Sequence, residues 1–151
     1  MIVLLSASLR VLHNQKDEIT VEEGFTDKIR GSIEFAANLV YKRGLLRKGV
    51  GLCHGVAGSV YALLAASNAL DTCSNSQYFL SRAAHLALLS TFREEMTSTR
   101  EMITPDHPWS LYEGLAGMCC ALAEVLCRLD KKGCRRPLSG FPGFDDLYEL
   151  H

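Results

Sequence analysis

Apolar residues recur along this chain at helical spacing, and the runs are of two kinds. Ile2, Leu5, Leu9 and Leu12 share one face at intervals of three and four, which predicts a short helix over residues 2–12. Residues 13–24 are polar and acidic and read as a loop. A second helix is expected from about Asp27, with Thr26 as its N-cap, to Arg43, where Gly44 stops it. Its stripe is Ile29, Ile33, Ala36, Ala37 and Val40, with Lys28, Arg30, Glu34, Asn38 and Lys42 elsewhere. Residues 59–70 differ in kind. They carry no charge, and Val60, Tyr61, Leu63, Leu64, Ala65 and Ala66 leave no wet face, so this helix has to be buried on every side. A loop over residues 71–75 leads to Ser76, the expected N-cap of a one-sided helix running to about Glu95. Its stripe is Leu80, Ala83, Ala84, Ala87, Leu88 and Thr91. Residues 118–129 form a second dry run, interrupted only by Glu124 and Arg128.

The dry runs open with the same sentence. SLYEGLAGMCCALA from Ser110 matches GLCHGVAGSVYALL from Gly51 position by position: Leu52 with Leu111, Gly55 with Gly114, Ala57 with Ala116, Gly58 with Gly117, Ala62 with Ala121. An internal repeat at an offset of 59 residues, as from Gly55 to Gly114, means one supersecondary unit used at least twice. Each unit is a one-sided helix, a glycine loop and a dry helix. Dry helices belong inside and one-sided ones outside, which gives two layers. The economical arrangement is all-α, a partial α/α toroid with two full helical hairpins and part of a third. Two repeats cannot close a ring, so the chain is expected to pair with something or to belong to a longer protein.

Length and composition narrow the choice. The 151 residues suit one domain, 1–151, and 48% hydrophobic content supplies a core without disulfides. A net charge of −1 argues against a nucleic-acid or anionic-membrane footprint. The basic residues Lys28, Arg30, Lys42, Arg43, Arg47 and Lys48 read as a solvated outer face. The apolar start is short, lacks a basic flank and is broken by Arg10, so neither a signal peptide nor a membrane span is expected. A cytoplasmic protein with free thiols is the expectation, since none of the six cysteines forms a C-x-x-C pair.

Chemistry gathers in the first glycine loop. Cys53 and His54 stand side by side among Gly49, Gly51, Gly55 and Gly58. A helix starting at Gly58 would aim free N–H groups back at them, a setting for a thiolate or a soft metal. The plain alternative is a buried thiol beside a capping imidazole. Glu113 holds the repeat position of His54; it could orient a ligand or handle a proton, or it could cap its helix. Cys119 and Cys120 read as core residues one turn into the second dry helix, and Cys73, Cys127 and Cys134 carry no role. His107 and Trp109 fix a loop entry, with Trp109 available to touch a peptide, and His13, His85 and His151 are incidental.

On GLCHGVAGSVYALL and SLYEGLAG, the chain resembles the last two repeats of the LanC-like family, the lanthionine synthetase cyclases and their eukaryotic relatives. YKRGLLRKGVGLCHG resembles that family's approach to its metal loop, and PDHPWSLYEGLAG and GFPGFDDL its terminal repeat and closing wrap, in a form associated with fungal members. The likeness covers roughly residues 28–147. It implies a toroid of seven inner and seven outer helices, of which this chain is the C-terminal part. Met1 is then an internal methionine or the start of a shortened frame. It also implies a zinc ion held by two cysteines and a histidine. Cys53 and His54 match the adjacent pair, and the remaining cysteine is expected upstream of Met1. Lys48 matches a lysine that eukaryotic relatives place near glutathione, where it could pair with a peptide carboxylate; a plain surface charge is the alternative.

The implied activity is zinc-dependent addition of a thiol, glutathione in the eukaryotic relatives, to dehydroamino acids in a dehydrated peptide or protein, impaired here by the absent ligand. The alternative is a non-catalytic binding or regulatory remnant of the toroid. A glycan- or terpenoid-processing ring lacks the carboxylate pairs or acid-rich motifs it needs.

Overall fold

In the computed structural model, residues 1–14, 24–71, 77–130 and 141–142 are described, with side chains from residue 10 to 14 left aside. These residues form six helices and no strand: α1 (Ile2–Asn14), α2 (Phe25–Arg43), α3 (Val56–Leu70), α4 (Tyr78–Ser90), α5 (Arg93–Ser98) and α6 (Leu115–Leu129). Ser76, Cys73, Cys134, His151 and most of GFPGFDDL lie outside the described residues, as do the side chains of Leu12 and His13.

The dry helix α3 is the centre. It packs on α1, α2, α4 and α6, and Val56, Ala57, Val60, Leu63 and Ala66 are fully buried. Lacking a polar face, it gains from contact in every direction. α1, α3 and α6 neighbour one another in that order, while α2 and α4 pack on them and touch each other, which makes two layers. The α2 stripe is as expected, with Ile29, Ile33, Ala36 and Ala37 buried.

Several boundaries moved, each for a local reason. α2 begins at Phe25 because Gly24, at φ 90°, turns the chain and its carbonyl accepts from Lys28 N–H at 3.1 Å; Thr26 is already inside the first turn. α4 receives its N-terminal acceptor from a distance. The Asp71 carboxylate, just past α3, takes the N–H groups of Phe79 at 3.0 Å and Leu80 at 3.2 Å. α4 stops at Ser90, where the Ser90 and Thr91 hydroxyls bond the carbonyls of Ala87 and Leu88 and draw the turn out of helical register. Its inward face is Phe79, Leu80, Ala83, Leu86, Ala87 and Ser90; Leu88 and Thr91 are exposed. Phe79, Leu86 and Ser90 are on that face where the expected stripe had Leu88 and Thr91.

α6 is not dry all round. Met118, Ala121 and Val125 face the core, whereas Ala123, Leu126 and Leu129 are exposed. No described helix covers that flank. Cys119, expected in the core, is exposed for the same reason, and Cys120 is half-buried. At the other end of the layer, Leu4 and Phe35 are 72% and 75% exposed along an apolar groove between α1 and α2. Cys127 is disulfide-bonded, against the expectation of free thiols throughout; it stands in the last turn of α6.

α6 is pinned to α3 by Arg128, which is itself held by Glu124 of its own helix. Arg128 Nε donates to Glu124 Oε1 at 2.6 Å, and its other nitrogen reaches the Leu64 carbonyl at 3.2 Å and Asn68 Oδ1 at 2.6 Å. Burial pushes the Glu124 carboxyl above the usual carboxylate range, and Arg128 only partly offsets this.

The two repeats are congruent in detail. Gly55 and Gly114 cap α3 and α6 in the same extended conformation. The first helical N–H of each, Val56 and Leu115, donates to the carbonyl seven residues back, Gly49 at 3.1 Å and Pro108 at 2.8 Å. A Cβ on Gly58 would lie 2.3 Å from the Leu52 oxygen, and one on Gly117 2.1 Å from the Leu111 oxygen. Only glycine lets the helix lie on its own loop.

Two measurements test this account. Gly58→Ala should cost about 2–3 kcal/mol and lower the melting temperature by roughly 5–10 °C, because the clash is with backbone. Gly31→Ala, with open space around it, should gain about 0.5–1 kcal/mol. Because the folded state holds the Glu124 proton more tightly than the unfolded chain, stability should fall as pH rises through the raised folded pKa. That loss should be absent in Glu124→Gln, read from denaturant midpoints between pH 4.5 and neutrality.

Candidate metal centre

The loop between α2 and α3 takes up the first N–H groups of α3. Val56, Ala57 and Gly58 give their N–H groups to the carbonyls of Gly49, Val50 and Gly51 at 3.1, 3.1 and 3.4 Å. The loop winds under the start of α3 and consumes the donors that were expected to face an anion. What the loop does offer is side chains at its outer tip.

The second glycine loop lies directly against the first. Cys53 N–H donates to the Tyr112 carbonyl at 2.8 Å, and a Cβ on Gly51 would fall 2.3 Å from the Glu113 carbonyl carbon. Cys53 and Tyr112 are repeat partners, so the two loops meet at equivalent points.

Cys53 and His54 are both exposed, with Sγ and Nε2 3.7 Å apart. For bond lengths of about 2.3 Å to sulfur and 2.0 Å to nitrogen, one edge of a tetrahedral zinc site is about 3.5 Å. Donor types and spacing therefore fit zinc. The number does not: a catalytic zinc takes three protein ligands and an open position, and among the described residues no three His, Cys, Asp or Glu side chains could hold one ion.

His54 lines a cleft of about 220 Å³ together with Lys48 and Glu113, and with the segment Ile103, Thr104, Pro105 and Asp106. The structure thus brings together all the residues singled out at this loop, Cys53 through its contact with His54. Cys53 also lines a second hollow of about 410 Å³ with Leu46, Leu52, Ser59 and Phe141, so the pair stands on the ridge between two depressions. The Phe141 ring packs edge-on against Tyr61 at 5.4 Å. Glu113 is half-buried, and its backbone N–H is taken by Ser110 Oγ at 3.1 Å. Trp109 is 75% exposed.

The wall formed by Thr104, Pro105 and Asp106 was not anticipated. Ile103 N–H donates to the Arg47 carbonyl at 2.7 Å and an Arg47 guanidinium nitrogen to the Arg100 carbonyl at 3.1 Å, clamping this segment beside Lys48. The repeat held a signal, since carrying its offset back from Gly114 pairs Arg47 with Asp106.

Congruent glycine loops in tandem, with a thiol and an imidazole at the tip of one, define a helical-repeat protein of one class. The sequence model for lanthionine synthetase C-like proteins matches residues 11–133, and the chain belongs to that family. It is 39% identical over 90 residues to a Danio rerio protein named glutathione S-transferase LANCL1, covering 58% of this chain and 20% of that protein. It is 31% identical over 110 residues to the LanC-like protein GCL1 of Arabidopsis thaliana, covering 73% of this chain and 22% of that one. The chain spans about a fifth of the length of these curated relatives. No helix among the described residues is long and apolar enough to cross a membrane.

In native protein, Cys53 and Cys119 should react with a small thiol reagent faster than the half-buried Cys120. Added zinc should slow the Cys53 reaction and leave Cys119 unchanged, as followed by peptide mass mapping of the labelled protein.

Proposed function

We propose that this chain is part of a glutathione-handling LanC-like protein, in which Cys53 and His54 supply two of three zinc ligands. The third donor comes from beyond the described residues. The observation that carries the reading is the 3.7 Å approach of Sγ to Nε2 at the lip of a cleft shared by His54, Lys48 and Glu113. The relative named as a glutathione S-transferase supports glutathione as the thiol.

Zinc, when bound, supplies the acidity that keeps a coordinated thiol as thiolate at neutral pH. The residues of the chain do the rest. Lys48 offers an ammonium to a carboxylate of the thiol peptide. In the reaction, sulfur joins the β-carbon of a dehydroalanine or dehydrobutyrine, the double bond becomes single, and the α-carbon takes a proton. Glu113 lines the same cleft as His54, and in this reading it hands over that proton. The acceptor is a dehydrated peptide or protein, and the setting is the cytoplasm. The exposed apolar flanks at α1–α2 and at α6 support an α/α toroid continued by further hairpins, with this chain as its C-terminal part.

The donor count favours a second reading, a binding remnant that carries the scaffold without turnover. One experiment separates the two. Zinc per chain is measured in the wild type, Cys53→Ala and His54→Ala, and glutathione addition to a dehydroalanine peptide is followed by mass spectrometry. Zinc content that drops in both variants, with a product bearing one glutathione, supports the enzyme. Zinc binding without product supports the remnant, and equal zinc in all three removes the ligand assignment.

A further inference from the structure

Outside the cleft, α2 and α4 meet through a guanidinium. Arg82 lies over the Tyr41 ring at 4.6 Å and the Tyr78 ring at 4.0 Å, and its Nη1 donates to Asn38 Oδ1. Stacking on two rings covers the flat faces of the group and leaves its edge to make hydrogen bonds. Among the described residues no carboxylate meets that edge. Arg82 makes no ion pair, α4 carries no acidic residue, and Asp71 is taken by the N–H groups of Phe79 and Leu80. On α2, Lys42 adjoins Tyr41, and Glu34 stands a turn before Asn38 without reaching Arg82. A half-buried cation held only by a neutral amide lacks a counter-charge. One turn along α4, His85 Nδ1 lies 2.8 Å from the Tyr41 hydroxyl. The phenol is the stronger donor, so Tyr41 O–H bonds Nδ1 and the ring proton sits on Nε2, on the side away from Tyr41. His85 and Tyr78 are both exposed. A carboxylate would be satisfied by the arginine fork alone; donors from three side chains suit a tetrahedral oxyanion.

We propose that Arg82, His85 and Tyr78 form a binding site for a phosphate monoester on the outer face of α2 and α4. The edge of Arg82 takes the phosphate oxygens together with His85 Nε2–H and the Tyr78 hydroxyl. Tyr41 and Asn38 position the guanidinium and the imidazole. The site is independent of the glutathione reading. Leu88 and Phe92, both exposed, continue the His85 face of α4 at spacings of three and seven residues, so a phosphate carried on an apolar peptide has further surface to cover.

Titration of isotope-labelled protein with inorganic phosphate and with acetate, at matched ionic strength and followed by NMR, tests the site. The Arg82 Nε–H signal should move saturably with phosphate, at about tenfold higher affinity than with acetate, since a charge-assisted hydrogen bond is gained. Arg82→Lys, which keeps the charge and loses the planar fork, should lose that preference. Tyr78→Phe, which keeps the stacked ring, should weaken phosphate binding about fivefold at an unchanged melting temperature. A phosphoserine peptide with leucine neighbours that binds more tightly than inorganic phosphate assigns the ester to a protein partner, and one that binds no more tightly assigns it to a small molecule. Equal response to both anions, Arg82→Lys that keeps the preference, or Tyr78→Phe with wild-type phosphate affinity overturns the site. Should Arg82→Lys fail to fold, the Tyr78→Phe titration decides.

Discussion

One backbone hydrogen bond, from Cys53 N–H to the Tyr112 carbonyl, joins the two glycine loops at the point where the site begins. Around it the loops are in backbone contact, with Gly51 lying where any side chain would strike Glu113. Backbone-to-backbone approach of this kind fixes positions more tightly than side-chain packing does, because neither partner has rotamers to adjust. It sets the depth of the cleft, the distance between the repeat-related residues His54 and Glu113, and the orientation of α3 relative to α6. The remote part of the same contact, through Arg128, Asn68 and the Leu64 carbonyl, holds the far ends of those helices in register. Two helices are thus tied near both ends, and the site occupies one of the ties.

Much of the fold was legible because it follows from helical periodicity. The stripe of Ile29, Ile33, Ala36 and Ala37 and the dryness of α3 needed only the spacing of apolar residues, and both match the burial observed. Tertiary effects were not legible. Asp71 feeds the start of α4 from eight residues away, so a search for a local N-cap could not find it. The inward face of α4 takes Phe79 and Leu86, which the expected stripe left out. Cys119 shows the limit most plainly: its repeat partner Ser59 is half-buried against Gly44 at the end of α2, whereas Cys119 is exposed.

The site was legible in its residues and misread in its physics. Cys53 and His54 stood out as an adjacent pair in a glycine frame, and they do converge. The expected attraction of an open helix terminus is absent, because the loop carbonyls of Gly49, Val50 and Gly51 have taken its N–H groups. The start of α3 therefore has no N–H of Val56, Ala57 or Gly58 to offer an anion at the tip. That shifts attention to Lys48 and to the wall at Asp106, whose place in the cleft depends on a contact between distant loops that local spacing does not reveal.

The winding of the first loop beneath α3 has a thermodynamic consequence. With its carbonyls engaged and its glycines locked against other backbone, the segment carrying sulfur and imidazole gave up its conformational freedom when the chain folded. An ion arriving there need not gather those two donors from a disordered strand. On the proposed reading, a third donor has only its own ordering to meet.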